Sequence, residues 1–365
     1  MKKESLKKVI AWGAVFFTGF LIILMQQQAP VIAQGIRSGL ALCGNTVIPS
    51  LFCFMVLTNF MTATRLGEYC SLPFYPIAKY IFHVDPKMGS IILMSFLGGY
   101  PIGAKAVGEL VKRKQISPAT ANRLLSFCCN GAPSFVITAV GMGMLHRWET
   151  GLLLYCAQVI SSVIIGVLVS IGKKTEYYAS PAKGGLSLGD AFVDSVNFSS
   201  MALLQMCGFI LLFQAVVAVA VQLLGSSMEA VFLLGLLEVT TGCVTAAQQT
   251  GPWVLPAISF FLAFGGCSVL FQILSLLKGT GINASRFFTF RFIHGAAASG
   301  VCIILMRLFP QIAAAAHNFS SAVPVANSNT PFTTLCFMGM CSILLLNTKA
   351  CCNEKILHSR RDTPK

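Results

Sequence analysis

Apolar residues fall along this chain in long runs. They occupy 9–25, 47–63, 88–110, 118–145, 151–172, 200–224, 228–247, 252–277, 286–309 and 332–346. Runs near 20 residues predict helices that cross a bilayer. Four runs are interrupted midway. Gly98-Gly99-Tyr100-Pro101-Ile102-Gly103 cuts the run at 88–110, and Asn130-Gly131-Ala132-Pro133 cuts the run at 118–145. Glu238-Val239-Thr240-Thr241-Gly242 and Gly265-Gly266-Cys267-Ser268 do the same to 228–247 and 252–277.

The runs and their breaks recur in the same order in two halves. Each half opens on an ordinary span, near Ser50 or near Ser200. A span interrupted by glycine and polar residues follows, and then a second span broken by a Gly-Ser-type element. Gly103 falls where Gly242 falls, and Ser134 where Ser268 falls. The expected division is a first span and interfacial segment at 1–45 and a first membrane repeat at 46–174. A polar cytoplasmic linker at 175–198 leads to a second repeat at 199–309. An outside loop at 310–330, a last span at 331–348 and a basic cytoplasmic tail at 349–365 complete it. The run at 9–25 follows Lys2, Lys3, Lys7 and Lys8 and is read as an uncleaved span rather than a cleaved leader.

Composition removes other classes. Of 365 residues, 55% are hydrophobic and only 10% charged, against about 25% in an average soluble domain. A soluble enzyme, a disordered chain and a secreted disulfide scaffold are all excluded by so few charges. The predicted class is an all-α polytopic membrane protein, with room for about eight to ten spans. The net charge of +14 comes from 26 basic against 12 acidic residues. Basic residues gather beside spans, as membrane orientation requires, so no nucleic-acid partner is expected. The fourteen cysteines show no metal spacing and sit mostly within apolar runs, where cysteine acts as a small hydrophobe.

Charge also tests the repeat. The loop after the first interrupted run holds Lys112, Arg113, Lys114 and Arg123, whereas its counterpart at 248–252 holds no charge. By the positive-inside rule the first is cytoplasmic and the second outside. That opposition predicts an inverted repeat with two re-entrant hairpins and two discontinuous helices, both termini cytoplasmic. Arg37, His146, Arg147 and Arg307 do not follow the pattern. Backbone cannot be left unpaired in lipid, so four breaks predict a polar cavity near the midplane, an arrangement found in transporters.

Ionisable residues inside the runs are the second signal, because burying them costs roughly 2.5–3.5 kcal/mol each. Lys105 and Glu109 follow the first break and form either a pathway pair or an i,i+4 surface pair. Glu238 has no base within a helical turn. Arg291 either faces the pathway or snorkels. His294 is a packing residue or a proton carrier. No enzyme signature, metal site or cofactor motif is present, and no ATP-binding loop, so transport is expected to be facilitated or driven by an ion gradient.

Several stretches carry a resemblance. Leu97-Gly98-Gly99-Tyr100-Pro101-Ile102-Gly103-Ala104-Lys105, the 130–134 break, Leu237-Glu238-Val239-Thr240-Thr241-Gly242, Phe264-Gly265-Gly266-Cys267-Ser268 and Arg291 with His294 together resemble the YlbJ-type sporulation integral membrane proteins. The match runs from about 45 to 306. It departs at Cys128-Cys129-Asn130-Gly131-Ala132-Pro133, where a Ser-Asn-Pro-Ser-type run is expected. That group belongs to the wider nucleoside-recognition (Gate) group, similar in architecture to concentrative nucleoside transporters.

The resemblance implies that Gly99, Lys105, Asn130, Ser134, Glu238, Thr240, Ser268, Gln272 and Arg291 line a substrate site, with Glu238 and His294 coupling an ion or proton. It also implies dipicolinic acid, a planar dianion moved from mother cell toward forespore, as the cargo. The alternatives are a nucleoside or nucleobase, or a non-transporting membrane scaffold of sporulation. Lys105→Ala is expected to abolish anion flux while sparing an uncharged nucleoside. Lipid is a further partner, and a homo-oligomer is expected by analogy alone.

Overall fold

The computed structural model describes residues 26–64, 69, 72–173, 175, 187–224 and 228–312. The expected first span at 9–25, the last span at 331–348 and the tail at 349–365 lie outside the described residues, as do most of the 310–330 loop and 176–186 of the linker.

Every element among the described residues is helical, the form that keeps backbone hydrogen bonds internal in lipid. Helix α1, Ala29–Leu42, passes through a wider π-type turn, Cys43–Val47, into α2, Ile48–Ala63. The two are bent by 56° and together are long and apolar enough to cross a membrane. Short helical turns follow at Leu72–Phe74, Ile77–Ile81 and Pro86–Met88. Then come α3, Gly89–Leu97, and α4, Tyr100–Lys112. Ser117 caps α5, Pro118–Leu125, by accepting from the Thr120 amide at 3.2 Å. An irregular stretch leads to α6, Ser134–Met144, which is wound in the wide π fashion, and then to α7, Trp148–Ser170.

The second half opens on α8, Leu188–Leu224, followed by α9, Met228–Leu237, and α10, Val239–Ala247. It ends with α11, Val254–Phe264, α12, Gly266–Leu276, and α13, Ala284–Leu308. Four elements are individually long and apolar enough to span: Trp148–Ser170, Leu188–Gln222, the kinked pair Val254–Leu276, and Ala284–Leu308. The kinked pair is the most enclosed of these.

Packing between the halves is reciprocal. The opening helices α2 and α8 pack together, and so do the closing helices α7 and α13. The second arm of the first hairpin, α4, packs on α12, while its counterpart α10 packs on α6. Each half thus closes its hairpin against the broken helix of the other.

Three boundaries differ from the sequence expectation. The stretch 29–45, expected as an interfacial segment, is helical throughout. Gln26, Gln27, Gln28, Arg37 and Asn45 dilute its hydropathy, yet Gly35 and Gly39 are buried against a neighbour. Helix α8 begins at Leu188, well before Ser200. Ser187 accepts from the Asp190 amide at 3.1 Å, and Ala191, Ser195 and Ser199 then bury one face of the added turns. The second broken helix is interrupted at the glycine pair, where left-handed φ angles of +93° at Gly265 and +70° at Gly266 end α11 and turn the chain into α12. Cys267 and Ser268 are already inside α12.

Candidate functional site

The two hairpin tips are built differently on equivalent positions. In the first, Gly99 has a φ of +87° and no side chain, so α4 starts without a side-chain cap and with Pro101 in its first turn. Four residues on, a β-carbon at Gly103 would collide with the Cys128 carbonyl, so glycine there lets the hairpin lie against the first elbow. In the second, Glu238 is extended and caps α10 itself. Its carboxylate accepts from the amides of Thr240 at 3.0 Å and Thr241 at 2.6 Å, and from the Thr241 hydroxyl at 2.8 Å. The Gln214 amide of α8 donates to that hydroxyl in turn. Glu238 is 1% exposed, and no basic side chain pairs with it among the described residues. The helix N-terminus, worth about half a positive charge, partly offsets the carboxylate.

The elbows of the broken helices carry carbonyls that lipid cannot satisfy, and side chains from both halves supply the missing donors. At the end of α11 the Tyr100 hydroxyl donates to the Leu262 carbonyl. The Arg291 guanidinium donates to the carbonyls of Ala263 and, at 3.4 Å, Phe264. A cation also suits the negative end of a helix. At the first elbow the Gln158 side chain brackets Gly131, accepting from its amide at 3.3 Å and donating to its carbonyl at 3.1 Å. Ser162 and Asn130 donate to the Phe127 carbonyl at 2.6 and 2.8 Å. His294 places Nε2 3.1 Å from the Gln158 carbonyl, tying α13 to the same elbow.

Tips and elbows border a cleft of about 540 Å³, a volume that includes space open to the outside. Its polar side holds Gly98, Gly99, Glu238, Thr240, Ser268 and Gln272, with Tyr100 and Pro101 at the first tip. The remaining wall is apolar: Val47, Leu51 and Met55, Met206, Phe209 and Ile210, and Ala132 with Phe135. The starts of α4, α6, α10 and α12 all border this space. Among the four, only α10 is capped by a side chain. Ser268 is 2% exposed, and its hydroxyl has no hydrogen-bond partner among the described residues.

Of the residues expected to form the site, Gly99, Glu238, Thr240, Ser268 and Gln272 meet at this cavity. The others do not. Lys105 forms the i,i+4 pair with Glu109 at 3.6 Å, lies 3.0 Å over the Phe198 ring, and keeps its side chain 30% exposed. Asn130 and Ser134 are buried at the first elbow, away from the lining. Arg291 and His294 are fully buried and hold elbows together instead of lining the space. Arg291 does not snorkel. Tyr100, Phe135, Met206 and Phe209 border the cavity and went unremarked in the sequence; Tyr100 alone had a signal, its place within the glycine-rich tip. Gln158, a lone amide in an apolar run, was the available sign of an elbow partner. Among the described residues no three His, Cys, Asp or Glu side chains gather around a metal-sized point.

Two halves, each with a helical hairpin and a broken helix around a shared internal cavity, define an all-α polytopic membrane protein. The chain is similar to the sporulation integral membrane protein YlbJ of Bacillus subtilis (strain 168), with 27% identity over 344 residues, covering 83% of this chain and 84% of that protein. The likeness supports the YlbJ-type assignment that the glycine-rich tips suggested. No family model matches the chain. No solved structure matches it either.

Proposed function

We propose that this chain is a sporulation membrane transporter of a small planar organic anion, with dipicolinate as the cargo, moved from the mother cell toward the forespore. It would sit as a multi-pass protein in the mother-cell-derived forespore membrane, both termini cytoplasmic. The observation that carries the proposal is the meeting of four helix starts at one cavity, three of them without a side-chain cap. Such ends present partial positive charge to an anion. The apolar wall with Phe135, Phe209 and Met206 suits the faces of a flat ring. The relative's name, a sporulation integral membrane protein, supports the setting but states no cargo.

Glu238 shapes the choice of cargo. It is the one charged side chain on the cavity among the described residues. A dianion therefore meets three helix starts without a side-chain cap and, at the fourth, a carboxylate, and Glu238 is where a proton would travel with the cargo. The same observation favours a second reading, an uncharged nucleoside or nucleobase held by Glu238, Thr240, Ser268 and Gln272. The test is uptake of labelled dipicolinate and labelled nucleosides into vesicles holding the purified chain, with and without a pH or sodium gradient. Dipicolinate uptake above empty vesicles is the expected result. Nucleoside uptake alone would replace the first reading with the second. Absence of both, with sporulation still disturbed by deletion, would leave a scaffold.

A further inference from the structure

Gly35 and Gly39 of α1 and Cys43, the first residue of the π-type turn that continues it, recur at intervals of four, which places all three on one face. Helix α8 packs along that face. A β-carbon on Gly35 would stand 2.6 Å from the Gln214 carbonyl oxygen and 2.7 Å from the Ala218 β-carbon. One on Gly39 would stand 3.1 Å from Leu211 and 3.2 Å from Gln214. Small residues at this spacing let two backbones approach closely within a membrane. Each turn forward on α1 thus moves one turn back on α8, and the next turn brings Cys43 to Cys207. The helix register sets the two side chains beside each other, and both residues are buried, 2% and 1% exposed.

The pair stands beside the cavity. Cys43 opens the π-type turn that ends at Val47, and Cys207 follows Met206; Val47 and Met206 both line the space. A lone buried cysteine behaves as a small apolar group. Two thiols in contact differ, because an oxidant adduct on one is displaced by the other. We propose that Cys43 and Cys207 are a dithiol that a small disulfide or diazene oxidant closes, fastening α1 to α8 and immobilising that wall of the cavity. In the reaction two S–H bonds break and one S–S bond forms. Two electrons and two protons pass to the oxidant, and a reducing thiol reverses the step.

The test treats vesicles holding the full chain with diamide, which permeates membranes and is reduced to the hydrazine. Remaining thiols are then alkylated in denaturant and the peptides are weighed. The expected result is a linked Cys43–Cys207 peptide in most chains, lost on reduction and absent from Cys43→Ser and Cys43→Ala. Dipicolinate uptake should fall at least fivefold in the linked chain and recover on reduction, while both variants keep their rates in diamide. Alkylation of Cys43 and Cys207 after diamide would overturn the pair. A linked chain that transports at the untreated rate would overturn the immobilised wall. The peptide readout needs no cargo, so a failure of uptake in untreated vesicles bears on the transport proposal and leaves the pair to be judged by its peptide.

Discussion

The hydroxyl of Tyr100, at the tip of the first hairpin, donates to the carbonyl of Leu262, near the end of the second half's broken helix. The same ring stands between the two elbow glycines. Its hydroxyl lies 3.0 Å from where a β-carbon of Gly131 would be, and its ring edge 3.6 Å from where one of Gly265 would be. One side chain therefore keeps both elbows and the first tip in register. Tyr100→Phe removes the donor and leaves a buried carbonyl unpaired, at a cost of about 1–3 kcal/mol. Thermal unfolding in detergent should show the loss, and vesicle uptake should fall with it.

Arg291 supplies the neighbouring carbonyls of Ala263 and Phe264, and no acidic side chain pairs with it among the described residues. Arg291→Met leaves these buried carbonyls without their donor and should cost about 1–3 kcal/mol for each. Arg291→Lys should recover part of that. Were Arg291 a cargo contact alone, the methionine variant would unfold at the parental temperature and lose only uptake.

Lys105→Ala should change little. Its pair with Glu109 and its contact with Phe198 are both partly exposed, and pairs of that kind contribute about 0–1 kcal/mol. Uptake of anion and nucleoside should both stay within about twofold of the parent. The sequence alone predicts collapse of anion flux. The placement of Lys105 outside the cavity reverses that expectation, and the uptake rate of the alanine variant decides between them.

Glu238→Gln separates the two cargo classes by sign. It removes the like charge facing a dianion, so dipicolinate uptake without a proton gradient should rise. It also removes an acceptor that a nucleoside would use, so nucleoside uptake should fall. Glutamine still offers one oxygen to the start of α10, whereas Glu238→Ala forfeits the cap and should cost about 0.5–2 kcal/mol of stability. Parallel uptake and unfolding measurements on both variants distinguish charge from capping.

The all-α polytopic class and the breaks in the apolar runs were legible because bilayer solvation writes them into hydropathy and glycine placement. Gly99 and Glu238 fell within the breaks that form the two tips, while Ser268 and Gln272 were named through the family resemblance. What stayed hidden was which intramembrane charges serve the backbone. Arg291 and Lys105 look alike in a sequence, each a cation in an apolar run. Only three-dimensional packing reveals that one meets the end of α11 and the other meets Glu109 and Phe198. Helix α1 was missed for a related reason. Its interface is made by Gly35 and Gly39, which hydropathy scores as nearly neutral while close packing depends on them.

The 37 residues of α8 carry one more consequence. At about 1.5 Å per residue they reach roughly 55 Å, while the hydrocarbon slab is about 30 Å thick. Even at about 40° of tilt, the steep end of what such helices adopt, the slab accommodates only about 26 residues. Some ten must stand in headgroups or water, and Asp190 and Asp194 mark the leading end as the one that does. Lys105 packs on Phe198, close to that leading end, and pairs with Glu109.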